Sequence, residues 1–133
     1  MKLLVDTHTF LWLVSGDDRL PAPTRDLIRS PEHEVWLSVI SLWEVVVKQH
    51  IGRLTLPGPA WPYLTAQRER HGIDALGLDE GAVGHLAKLP PVHRDPFDRM
   101  LICQAIEHDL QLVTDDELVC RYPIKTVWRV SEA

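Results

Sequence analysis

The sequence predicts an α/β fold, with a central, mostly parallel sheet covered by helices on both faces. Three observations predict it. Short apolar runs alternate along the chain with longer segments patterned for helices. Acids follow directly on two of those runs, Asp6 after the first and Asp115-Asp116 after a late one, where the carboxyl ends of parallel strands form a crevice. The chain has 133 residues, 45% apolar and 25% charged, which suits one domain, spanning residues 1–133, with a core of its own.

Residues 2–5 form an apolar run that reads as a buried strand, and residues 7–14 resume as a helix carrying Phe10, Leu11 and Trp12. Ser15-Gly16-Asp17-Asp18 is a loop. Pro21 and Pro23 open a short helix that Pro31 stops, and residues 34–38 are the second strand. A helix is expected over 40–51, ended by Gly52, although Val45-Val46-Val47 also suits a strand. Three prolines mark 56–62 as a loop, followed by a helix over 61–70 and a strand over 73–78. Asp79 caps a helix over 79–88. Pro90-Pro91 breaks the chain, and Asp95-Pro96 has the form of an N-cap and first helical residue for a helix to His108. Strands over 111–114 and 125–128 complete the pattern.

Composition narrows the function. With 14 Lys and Arg against 19 Asp and Glu the net charge is −5. That argues against bulk electrostatic binding of nucleic acid, but not against a site where metal ions supply the positive charge. No apolar run reaches the ~18 residues of a membrane span. The opening Met1-Lys2-Leu3-Leu4-Val5 imitates a signal peptide until Asp6-Thr7-His8-Thr9 breaks it. Two cysteines, Cys103 and Cys120, read as reduced thiols, so the expected location is cytoplasmic.

Four acids interrupt apolar patterns. Asp6 ends a strand, where it serves equally as a helix cap. Ile40, Trp43, Val47 and Ile51 share a stripe at offsets of three and four, and Glu44 lies on it. A carboxylate so placed points toward a core or cleft and needs a partner, either an arginine or a cation. Asp98 opens the stripe of Leu101, Ile102 and Ala105, although an acid in a first helical turn also favours the dipole. Asp116 follows Leu112-Val113-Thr114, with Asp115 competing for any role. Acids gathered in this way repel one another unless a cation lies among them. All-oxygen ligands suit Mg²⁺ or Mn²⁺ and not Zn²⁺, and phosphodiester hydrolysis is their natural use.

These residues carry a resemblance. The segments Leu3-Leu4-Val5-Asp6-Thr7-His8, Ser41-Leu42-Trp43-Glu44-Val45, His93-Arg94-Asp95-Pro96-Phe97-Asp98-Arg99 and Leu112-Val113-Thr114-Asp115-Asp116, in that order, resemble the PIN-domain ribonucleases, and within them the VapC-like toxins. The resemblance implies a PIN-like three-layer α/β/α sandwich. It also implies an endoribonuclease in which Asp6, Glu44, Asp98 and Asp116 hold Mg²⁺ or Mn²⁺, with Thr114 bracing the site. It further implies an RNA substrate, a cognate antitoxin and a homodimer. Nearby, His8 is expected to pack beside the site or to hydrogen-bond a carboxylate. His93, Arg94 and Arg99 either reach a phosphate or lie on a solvated loop, and Lys48 and Arg53 read as solvated surface residues within reach of RNA or an antitoxin. Trp12, Trp43 and Trp61 are expected to pack in the core, with base stacking as the alternative, above all for Trp61 in the proline-rich loop. The alternative is a PIN-fold protein- or RNA-binding module without activity. A receiver-like signalling domain has its acids in another order, and an aspartyl phosphatase wants Asp-x-Asp where this chain has Asp6-Thr7-His8.

Overall fold

The computed structural model describes residues 1–128. Five strands form one sheet: β1 (Lys2–Val5), β2 (Glu34–Ser38), β3 (Asp74–Leu76), β4 (Gln111–Val113) and β5 (Thr126–Val127). Their order is β3-β2-β1-β4-β5, and every pairing is parallel. The helices are α1 (Thr7–Ser15), α2 (Ala22–Arg29), α3 (Val39–His50), α4 (Ala60–Arg70), α5 (Glu80–His85) and α6 (Pro96–His108). Short 3-10 turns lie at Leu86–Lys88 and Val119–Arg121.

The alternation expected from the sequence is the alternation observed, and it forms a three-layer α/β/α sandwich. β1 is central, so both of its faces are covered and Leu3, Leu4 and Val5 are fully buried. Successive side chains point to opposite faces. Leu3 and Val5 pack with Phe10 and Leu13 of α1, Leu27 and Ile28 of α2, and Leu64 of α4. Leu4 packs on the other side with Leu101, Ile102 and Ala105 of α6. Helix α3 serves both layers, sending Val45 into the first and Ile40 into the second.

Several boundaries shift for identifiable reasons. α3 begins at Val39 because Ser38, the last residue of β2, caps it by accepting from the Ile40 N–H at 3.0 Å. Val45-Val46-Val47 is helical. β3 is shorter than expected at its carboxyl end, stopping before Gly77, and the helix after Asp79 tightens into the 3-10 turn at Leu86. Asp109 closes α6 in the left-handed region (φ 52°), one of the few residue types that adopt it without glycine.

Two packing expectations are corrected. The buried arc of α3 is Ile40, Ser41, Glu44 and Val45, whereas Trp43 is 58% exposed and Val47 and Ile51 are also exposed. The helix is rotated so that its small Ser41 meets α1, and the bulkier Trp43 side faces outward. Trp61 is not a core residue either: at 62% exposed it lies on the outer face of the first turn of α4.

The chain crosses from β1 outward to β2 and β3, then returns to place β4 on the other side of β1. The crevice at this reversal opens at the carboxyl ends of β1 and β4.

Candidate active site

The four acids reach the crevice from different elements. Asp6 follows β1, with its backbone N–H donated to Val113 O of β4 at 3.2 Å. It also caps α1, its Oδ1 accepting the Thr9 N–H at 3.0 Å. The capping and site readings are therefore compatible, one oxygen serving the helix. Asp6 is only 3% exposed. Burial raises its pKa, and His8, Thr114 and Thr9 oppose that rise.

Glu44 projects from the buried arc of α3 and is 5% exposed. Its Oε1 accepts the Thr7 hydroxyl at 2.8 Å, and the Ser41 hydroxyl lies 2.9 Å from that of Thr7. An ionised carboxylate only accepts, so the Thr7 proton goes to Glu44, which leaves Ser41 to donate to Thr7. Oε2 receives the Lys48 ammonium, one turn along the same helix. The partner expected to be either arginine or a cation is thus a lysine. The Glu44 contact raises the Lys48 pKa, with Asp95 and Asp98 adding to the effect.

Asp98 is the third residue of α6. Asp95 takes the capping role, its Oδ1 accepting the N–H of Phe97 at 2.8 Å and of Asp98 at 3.3 Å. Asp98 is thereby free to face the crevice. Burial first, then the negative charges of Asp95, Glu44 and Asp6, push its pKa to about 7, and His93 opposes them. Asp6, Glu44 and Asp98 therefore share one electrostatic neighbourhood.

Asp116 joins through His93, whose Nε2 is 3.0 Å from Asp98 Oδ2 and 3.3 Å from Asp116 Oδ2. The other Asp116 oxygen caps the 3-10 turn at Val119, accepting the N–H of Leu118 at 2.8 Å and of Val119 at 3.3 Å. Thr114, fully buried, accepts the Asp116 N–H at 3.1 Å. Asp115 turns away to His8 Nε2 at 2.7 Å, and the same nitrogen lies 3.5 Å from Asp6 Oδ2. His8 thus bonds carboxylates, as expected, and separates the roles of the two adjacent acids.

The cleft has a volume of about 430 Å³ and is lined by Thr7, His8, Glu44, Lys48, Arg53, Asp95 and Asp98, with Leu11, Val45 and Leu54. Of the basic residues expected to meet a phosphate, Lys48 and Arg53 line it. Arg94 lines a separate apolar groove beside Ile40, Trp43 and Phe97. Arg99 is committed elsewhere: its Nη1 donates to Pro90 O at 3.2 Å, His93 O at 3.3 Å and the Tyr122 hydroxyl at 3.2 Å. Its guanidinium braces the 90–95 loop. Sequence reasoning missed Thr7, Ser41 and Asp95 as parts of this site, and it read His93 as a group that meets a phosphate. The positions of Thr7 and Ser41, one residue after Asp6 and one turn before Glu44, were the available signal.

The donor set suits a hard divalent cation. Carboxylates crowd until one is held near neutrality, and a cation among them relieves that crowding.

The family model described as PIN domain matches residues 3–125, and the chain belongs to the PIN-domain family. Among relatives, ribonuclease VapC22 of Mycobacterium tuberculosis is 28% identical over 132 residues, covering 95% of this chain and 98% of that protein. Ribonuclease VapC16 of the same organism is 27% identical over 62 residues, 47% of this chain and 44% of that protein. Among solved structures, VapBC2 from Rickettsia felis bound to a promoter DNA fragment aligns with a TM-score of 0.72 at 13% identity, covering 96% of this chain and 98% of that one. That likeness is one of fold.

Proposed function

We propose that this chain is a Mg²⁺- or Mn²⁺-dependent endoribonuclease, the toxin of a toxin–antitoxin pair. The observation that carries this reading is the gathering of acids around Asp98: Glu44 lines the same cleft, Glu44 and Asp6 are both close enough for their charge to shift the Asp98 carboxyl, and Asp116 is linked through His93. The names of the VapC relatives support the ribonuclease reading.

Asp6, Glu44, Asp98 and Asp116 are the residues that would hold the ion. When bound, it supplies a Lewis acid that polarises a phosphodiester oxygen and stabilises charge in an in-line displacement. The chain's own part is positioning. Thr7 fixes the rotamer of Glu44, and Thr114 and the Val119 turn fix Asp116. Lys48 and Arg53 offer the cleft's cationic rim for the RNA backbone, which suits an otherwise acidic protein. In the overall reaction water adds to phosphorus and the P–O3′ bond breaks, leaving a 5′-phosphate and a 3′-hydroxyl that takes up the proton.

Partners follow from the same reading: an RNA substrate, a cognate antitoxin protein and a second copy of the chain. The exposed apolar residues Val39, Trp43, Val46 and Val47 of α3, with Ile51 just after it, are the surface that favours a homodimer. A concentration-independent monomer mass in light scattering counts against it. Among the described residues no helix is long and apolar enough to cross a membrane; a cytoplasmic location is part of the proposal. The test is RNA cleavage with and without Mn²⁺, in wild type and in Asp6→Asn. Metal-dependent cleavage that falls by orders of magnitude in the variant supports the reading. A fully active Asp6→Asn overturns it. Saturable Mn²⁺ binding without cleavage of any RNA moves the inactive binding module to the front.

A further inference from the structure

His93 lies where two of the site acids meet, yet the four-carboxylate reading gives it no part. Its side chain is mostly buried, and by distance alone it is a third ligand. One ligand atom each from His93, Asp98 and Asp116 fall within 4.8 Å of one another. The other ring nitrogen argues against that role. His93 Nδ1 accepts the backbone N–H of Asp95 at 3.1 Å. A backbone N–H can only donate, so Nδ1 must present its lone pair. In the neutral ring the single proton then sits on Nε2, the nitrogen between the two carboxylates. A nitrogen that carries a proton has no lone pair for a metal.

We infer that His93 is a positioning residue of the acidic site: its Nε2–H, fixed there by the Asp95 N–H, is donated to Asp116 Oδ2 while Asp98 Oδ2 rests 3.0 Å from the same nitrogen, and the ring so sets the spacing of those carboxylates. The purpose of that spacing rests on the metal-site reading above, whereas the tautomer does not. Two carboxylates pulled onto one donor approach more closely than their charges otherwise allow. Among the described residues neither Asp98 carboxylate oxygen accepts a hydrogen bond, so one oxygen is placed by its contact with the ring nitrogen and the other is open.

The backbone of His93 is held as well. Its main-chain N–H donates to the Tyr122 hydroxyl at 2.8 Å, and Arg99 donates to its carbonyl at 3.3 Å. Asp95 acts twice, capping α6 with its side chain and setting the ring tautomer with its backbone. Residues 93–99 therefore act as one unit, in which the histidine, the cap, the site acid and the clamping arginine each need the others.

Three measurements test this. In metal-free wild-type protein at pH 8, long-range ¹H–¹⁵N correlations of the histidine rings are expected to show His93 as the Nε2–H tautomer. An Nδ1–H ring, or a doubly protonated one, overturns the inference. Mn²⁺ titrations then compare His93→Met, which has the reach but no donor, with His93→Gln, which keeps an N–H near the Nε2 position. Met is expected to weaken Mn²⁺ binding about 10–100-fold, the usual cost of losing a group that orients ligands, and Gln to recover most of it. Equal affinity in all three proteins overturns the positioning role. If His93→Met does not fold, the tautomer and the Gln variant decide the matter.

Pulsed EPR of bound Mn²⁺ separates positioning from ligation. A directly bound ¹⁴N coupling that is lost in His93→Gln and kept in His8→Gln makes His93 a ligand and overturns the inference. No such coupling is expected from His93. Wild-type protein that binds no Mn²⁺ removes the spacing's purpose and overturns the positioning role. An Nε2–H signal in that same protein then locates the failure in the metal reading.

Discussion

Thr7 donates its hydroxyl to Glu44 Oε1 at 2.8 Å, joining the residue after the first acid to the second acid across two helices. The bond is buried, and Ser41 completes the hydroxyl's own partners. Replacing Thr7 by Val keeps the shape and removes the donor, so one oxygen of a buried carboxylate is left unmet. Thr7→Val is expected to cost about 1–3 kcal/mol in chemical denaturation and to weaken Mn²⁺ binding. An unchanged midpoint shows that Glu44 does not depend on Thr7.

Asp98 makes stability depend on pH in a direction opposite to that of an ordinary salt-bridged acid. Its carboxyl is pushed up to about 7 in the folded chain, from an ordinary aspartate value of 3.8. Between these values the folded chain binds more protons, so stability falls as pH rises through the window, and the cost is complete above about pH 7. In metal-free protein, Asp98→Asn should therefore raise the melting temperature at pH 8, by about 3–6 °C for each kcal/mol relieved. The gain should disappear toward pH 4. A gain of equal size at both pH values shows that charge crowding is not its source.

Mn²⁺ should reverse that ranking. An ion bound at 100 times its Kd adds about 2.7 kcal/mol to the wild type, and Asp98→Asn should lose most of it. Chelation with EDTA should return both proteins to their metal-free order.

Lys48 competes with any ion for Glu44. Lys48→Met leaves a buried carboxylate unpaired, but the ammonium is partly exposed, so the loss in metal-free protein is expected to be about 1 kcal/mol. The melting-temperature rise with Mn²⁺ should be larger in the variant than in the wild type, because nothing then has to be displaced. A smaller rise shows that Lys48 supports the ion and does not compete with it.

Arg99 and the cleft cations should separate in salt-dependence measurements. Lys48→Ala with Arg53→Ala should flatten the dependence of RNA binding on salt, by roughly one unit of slope for each phosphate no longer neutralised. Arg99→Ala should leave the slope alone and lower stability by about 1–2 kcal/mol, since it removes three hydrogen bonds to the 90–95 loop and Tyr122. A slope change in Arg99→Ala returns that arginine to the RNA surface.

The strands and helices were legible because apolar runs and helical patterns seldom mislead when the central strands are buried, as with Leu3, Leu4 and Val5. Asp6, Glu44 and Asp98 stood out for the same reason: each breaks a pattern that burial requires. The structure brings those three into one neighbourhood, and Asp116 beside Asp98 only by way of His93. What was not legible depends on rotation and on loops. A turn of α3 about its axis decides whether Trp43 or Ser41 faces inward, and apolar periodicity along a helix so uniformly apolar does not set that angle. The commitments of Arg99 and His93 depend on the path of residues 90–95, which no repeat in the sequence describes.

The placement of β4 beside β1 has a consequence for how the protein is made. Asp6 and Glu44 leave the ribosome early, but Asp116 follows much later, and the crevice has no second wall until β4 docks on β1. A partly synthesised chain therefore carries half of an acidic cleft and nothing to oppose it. The topology thus orders assembly: Asp116 can join the other acids only after β4 has taken its place beside β1.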